Sequence, residues 1–158
     1  MQTILNERLT EMYERMRNQC LADFELNGSL GSRSYALKPN MAPIRFDLRK
    51  MMLPLPLLGL HNKGYMSLKA AVNIGQIVAV FVGSEGFMDN PEAHDITIDW
   101  ANIGTSDFLW FEIVSRHLRH YEAFHITRSG LTPELEQISP ENIKTGPSNY
   151  VDVFKLHS

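Results

Sequence analysis

The hydrophobic period of this chain turns near residue 34 from about four residues to two, and that change restricts the fold more than any motif does. In residues 2–22, Leu5, Leu9, Met12, Met16 and Cys20 recur at steps of four and three, one stripe of an α-helix. Ile4, Tyr13 and Leu21 widen the stripe, and Glu11 and Arg15 can pair at i, i+4 on the wet face. Asn27-Gly28 is a stop signal. A stripe this wide needs cover, from the chain's own sheet or from a second copy.

Beyond residue 34 the period is two. Tyr35 and Leu37 alternate with polar neighbours, as do Ile44, Phe46 and Leu48. Met66, Leu68, Ala70, Val72 and Ile74 alternate over a longer strand that Gly75 bends. Residues 76–82 form a near-continuous apolar run, the mark of a central strand, and residues 83–91 read as a loop. His94, Ile96, Ile98 and Trp100 alternate with Asp95, Thr97 and Asp99. Residues 108–114 read as a strand, with a buried helix capped by Ser106 as the competing assignment. Residues 115–122 form a cationic turn and 124–128 a short strand. Thr132-Pro133-Glu134 opens a helix over 131–143 that Pro140 cuts short. Gly146-Pro147 is a turn, and Tyr150 to Leu156 a closing strand.

The expected fold class is therefore α+β: a mostly antiparallel β-sandwich or partly open barrel, with a long N-terminal amphipathic helix and a short C-terminal helix before the last strand. At 158 residues, 44% apolar and 21% charged, the chain is expected to be one domain, 1–158, with the helix at about 2–22 and the β-rich body at about 33–158.

Charge and cysteine content remove several functions. A net charge of −3 argues against non-specific nucleic-acid binding by the whole surface, though a local basic patch stays open. One cysteine excludes a disulfide-stapled domain and a Cys-based zinc ribbon; Cys20 reads as a small buried hydrophobe. Glu7, Arg8, Glu11, Glu14 and Arg15 interrupt any signal-peptide core, and no run of eighteen apolar residues exists. The expectation is a cytoplasmic protein, without a membrane partner and without a cofactor. The loop 27–34 lacks the Gly-Lys-Ser/Thr ending that cradles phosphates.

Chemistry concentrates in residues 116–128. Arg116, His117, Arg119, His120, Tyr121, Glu122, His125, Thr127 and Arg128 put three of the six histidines and three arginines into thirteen residues. Guanidiniums beside imidazoles suit an anionic ligand, with Arg116, Arg119 and Arg128 as the binding groups. They also suit acid–base cleavage of a phosphodiester, with His125, Thr127, His117 and His120 as the candidates. His125-Ile126-Thr127 is similar to the His-x-Thr element of the 2H phosphoesterases, whose two such elements face one phosphodiester without a metal. The second element would be His94 to Thr97, but its spacing is His-x-x-Thr, which turns the two side chains to opposite strand faces.

For a metal, His117 with His120 or Tyr121 could share a helix face, but no carboxylate stands at matched spacing and no metal is expected. Asp95 and Asp99 on a strand lie about 13 Å apart, too far to chelate one ion. The segment Leu53-Pro54-Leu55-Pro56-Leu57-Leu58-Gly59-Leu60 is apolar, and proline keeps it out of a ladder. Its leucines 53, 55, 57, 58 and 60 either enter the core or form a contact patch.

Three functions follow, in order. The first is a non-enzymatic assembly or interaction protein, a small subunit of a larger complex with a protein partner or its own copies. The second is a binding module for an anionic ligand or nucleic acid through the 116–128 cluster. The third is a metal-independent phosphodiesterase or nuclease.

Overall fold

A computed structural model describes residues 2–87, 96–98, 107–128, 130–145 and 149–154. Helix α1 spans Gln2–Asn27. The strands are β1 Arg33–Leu37, β2 Pro43–Arg45, β3 Met52–Pro54, β4 Tyr65–Ser67, β5 Ala79–Phe87, β6 Ile96–Ile98, β7 Asp107–Val114, β8 Arg119–Thr127, β9 Glu134–Gln137 and β10 Ile143–Thr145. Helices α2 Leu68–Asn73 and α3 Asn149–Asp152 are short. The fold is α+β and antiparallel throughout its described ladders. Six strands form the main sheet in the order β2-β1-β5-β7-β8-β9, while β3-β4 and β10-β6 are two-stranded ribbons.

The strand alternation sorts the core onto two faces. Leu37, Ala79, Phe81, Leu109, Phe111, Ile113 and Ile126 meet Leu9, Tyr13, Cys20 and Phe24 of α1. Ala36, Val80, Val82, Phe108, Trp110, Val114 and Ala123 point the other way, into a core shared with the β3-β4 ribbon, α2, Ile143 and α3. With both sides covered, β7 reads as a continuous apolar run, and it is a strand, as expected. Helix α1 runs five residues beyond the expected end and adds Phe24 to the stripe. It stops at Gly28, whose φ of +74° suits glycine and whose N–H reaches the Phe24 carbonyl at 2.7 Å. Cys20 is buried, and burial pushes its thiol up against the opposing pull of Arg33.

Four expectations are overturned. Residues 66–74 are not one strand: after β4, Ser67 caps α2 by accepting a bond from the Ala70 N–H at 3.1 Å, and Leu68, Ala71 and Val72 are buried at helical spacing. Gly83 does not open a loop. Strand β5 runs through it, and a Cβ there would stand 3.2 Å from the Phe111 ring and 3.3 Å from Cys20 Sγ. Residues 131–143 are not a helix. Glu134–Gln137 pairs with β8 as an edge strand with Leu135 turned inward, and Pro140–Asn142 is a single 3-10 turn. Residues 150–154 are not part of a closing strand: α3 runs to Asp152 and a turn follows, with Tyr150, Val153 and Phe154 buried at i, i+3, i+4. The short C-terminal helix therefore lies later than expected. The cationic turn is also shorter, because β8 starts at Arg119. His94, Asp95, Asp99, Trp100, the Gly146-Pro147 turn and Leu156 lie outside the described residues.

Candidate functional site

Strand β8 takes the 116–128 cluster apart. Its alternation turns His120, Glu122, Phe124 and Ile126 toward α1, and Arg119, Tyr121, Ala123, His125 and Thr127 toward the opposite core. Arg119 and His125 share a face but stand six residues apart, roughly 20 Å along a strand.

On the α1 face, Glu122 is the centre. Tyr13 donates its hydroxyl to Oε1 at 2.7 Å, Arg17 donates to the same oxygen at 2.7 Å, and Gln137 donates to Oε2 at 3.1 Å. His120 stacks edge-on against Tyr13, with centroids 4.7 Å apart, and its Nε2 lies 3.7 Å from Glu122 Oε1. Burial alone would raise the Glu122 carboxyl, but the bonds from Arg17 and Tyr13 outweigh it and hold it below the usual range. Burial and the bond to Glu122 push the Tyr13 phenol well up. This network fastens α1 to the sheet.

Arg128 is spent in the same manner. Its guanidinium donates to Asp107 Oδ2 at 2.9 Å, to the Gly28 carbonyl at 2.8 Å and to Glu85 Oε2 at 3.3 Å, and it lies over the Phe24 ring. It closes the C-terminal end of α1 onto β5, β7 and β8. His125 and Thr127 do sit on one strand face, with Nε2 3.1 Å from Oγ1, as the His-x-Thr element requires. The Glu136 carboxylate lies 3.8 Å from Nδ1. Thr97, of the second element, belongs to β6, which pairs with β10 and not with the main sheet.

The turn Ser115–Leu118, closed by a Ser115 N–H to Leu118 carbonyl bond of 2.7 Å, holds the other members. Arg116 and His117 are exposed there. They border a wide-mouthed depression of about 600 Å³ lined by Val114, Ser115, Leu118 and Arg119, with Val151 and Phe154 as the opposite wall. Beneath it lies Glu112, fully buried in the middle of β7. Arg119 Nε donates to Glu112 Oε2 at 2.6 Å, and the Tyr150 hydroxyl donates to Oε1 in a short bond. A buried carboxylate needs such partners, so Glu112 ties the start of β8 and helix α3 to one point. The buried Nη2 of Arg119 has no hydrogen-bond partner among the described residues.

Sequence reasoning named Arg116, His117 and Arg119 but missed Glu112 and Tyr150. A signal for Glu112 existed: it is the lone charge between Phe108 and Val114, where a strand buried on both faces has no wet side to put it on. Helical sharing of His117 with His120 or Tyr121 is overturned, since these residues form a turn and a strand, and His120 faces α1. Among the described residues no three His, Cys, Asp or Glu side chains converge where a metal ion could sit, and no helix is long and apolar enough to cross a membrane.

The Pro-Leu segment divides. Leu53 and Leu58 are core residues, Leu55 and Leu60 are half-buried, and Leu57 is exposed. In the β3-β4 ribbon Leu53 pairs with Met66 on the inner side, while Met52, Pro54 and Tyr65 share the outer side. Met52 and Tyr65 are 38% and 68% exposed, large values for side chains of this size.

No family model matches the chain, and comparisons with curated proteins and with solved structures return no match.

Proposed function

We propose that this chain is a non-enzymatic assembly protein, a small subunit of a larger complex, which meets a second copy of itself through the outer face of the β3-β4 ribbon. The observation that supports this reading is the outward display of Met52, Pro54 and Tyr65, continued by exposed Leu57 in the next turn. The face carries no charge of its own, so two copies can bring it together without repulsion, as an isologous contact requires. The edges of the main sheet are poor alternatives. Edge β2 has three residues, with Pro43 and Arg45 exposed, and edge β9 exposes Glu134, Glu136 and Gln137. Short strands with proline and charge discourage edge-to-edge pairing. Within the 116–128 cluster, Arg128 is bonded to three elements and Glu122 to Arg17 and Tyr13, contacts that serve the fold.

Light scattering on the eluting protein tests the proposal. The wild-type chain is expected to run above its 18.0 kDa monomer mass as concentration rises. Leu57→Asp with Tyr65→Asp should return it to monomer while the circular dichroism spectrum stays unchanged. A wild-type chain that stays monomeric at every concentration it tolerates would refute the reading.

A further inference from the structure

We infer that the depression between the Ser115–Leu118 turn and α3 binds a phosphate monoester with a flat apolar body, the chemistry of a mononucleotide. The inference does not depend on the assembly reading. Two guanidiniums and an imidazole, from Arg116, Arg119 and His117, line the depression, and among the described residues no carboxylate does. The nearby acid, Glu112, is fully buried and already accepts bonds from Arg119 Nε and Tyr150. Arg119 is thus held through Nε on Glu112, while its side chain, about a quarter exposed, still borders the depression. A phosphate oxygen is the acceptor that a guanidinium fork matches best.

The remaining lining has no use for a bare ion. Val114, Leu118, Val151 and Phe154 offer an apolar surface beside the cationic rim. The volume, about 600 Å³, falls in the range of small-molecule sites, roughly 300–1,000 Å³. The walls are also set before any ligand arrives, since Arg119 from β8 and Tyr150 from α3 meet on the same carboxylate. A site whose two sides hang from one buried anchor loses little freedom on binding.

Isothermal titration of the full chain at low salt, with AMP, inorganic phosphate and adenosine as probes, tests the inference. AMP should bind, with phosphate and adenosine each weaker by about tenfold or more. Arg116→Glu should abolish measurable AMP binding. Phe154→Ala should bring AMP close to the affinity of inorganic phosphate. Arg8→Glu makes the same charge change on an exposed position of α1, across the sheet, and should leave binding intact. Arg119→Ala is a poor first variant because it strips Glu112 of its cation and endangers the fold. No AMP binding at millimolar concentration would overturn the inference. So would equal losses in Arg116→Glu and Arg8→Glu, or AMP and inorganic phosphate binding alike.

Discussion

One face of the main sheet is covered by a single helix of 26 residues, while the other is covered by a ribbon, two short helices and a second ribbon strand. The helix face is nearly all apolar in its interior and keeps its polar contacts at the margin, where Arg17 reaches the Glu122 carboxylate and Arg128 the Gly28 carbonyl. The patchwork face buries a carboxylate outright. A long helix can cover a sheet with one stripe of side chains. Several short pieces cannot each bury enough surface to fix their own positions, and they need polar ties as well. Glu112 is such a tie, and the one depression considered above for a ligand opens where the pieces around it meet.

The largest test of this contrast is Arg119→Ala. It leaves Glu112 buried with its cation removed, a change that costs about 3–5 kcal/mol for a fully buried pair. Because Arg119 is about a quarter exposed, the lower end, about 3 kcal/mol, is expected in urea unfolding. A loss under about 1 kcal/mol would mean that charge does not hold this face together.

Gly83→Val probes the helix face. The added side chain would press Phe111 of β7 and Cys20 of α1, and about 2 kcal/mol of overpacking is expected. Unchanged stability would show that α1 can slide on its sheet more freely than its buried aromatics suggest.

The smallest effect concerns pH. Glu122 is held below its usual range in the folded state, so the unfolded chain binds more protons at this position as the solution is acidified. Its contribution is present above about pH 4.3 and is lost as pH falls through the lower folded value. Glu122→Gln should cost about 1 kcal/mol at neutral pH and flatten this part of the acid limb. Denaturation midpoints of both proteins between neutral pH and pH 3 check the sign. Parallel curves would remove Glu122 from the account.

The same contrast decides how much could be read from the sequence. The long helix was legible because its stripe repeats over six turns, and β7 was legible because its apolar run is unbroken except at Glu112. The short elements were not, because over six residues periods of two and of 3.6 share most positions. Leu68 and Val72 fit either pattern, and only the Ser67 cap and buried Ala71 choose the helix. For residues 134–137 the local signal was a helix start, and pairing with β8 overrode it. The candidate site was half legible. Arg116, His117 and Arg119 drew attention as a basic cluster, while Tyr150 comes from 38 residues beyond its acceptor Glu112, and no local pattern announces such a bond.

The Tyr13–Glu122 bond spans 109 residues. On a ribosome adding 5–20 residues per second, Glu122 emerges roughly 5–20 s after Tyr13. For that interval Leu9, Tyr13 and Phe24 have no β7 or β8 to rest on. The nascent helix therefore leaves its apolar stripe uncovered for that interval, open to a chaperone. Its ionic fastenings then act as late steps of maturation, since Arg128 can close on Gly28 only after the full length of β8 has been made.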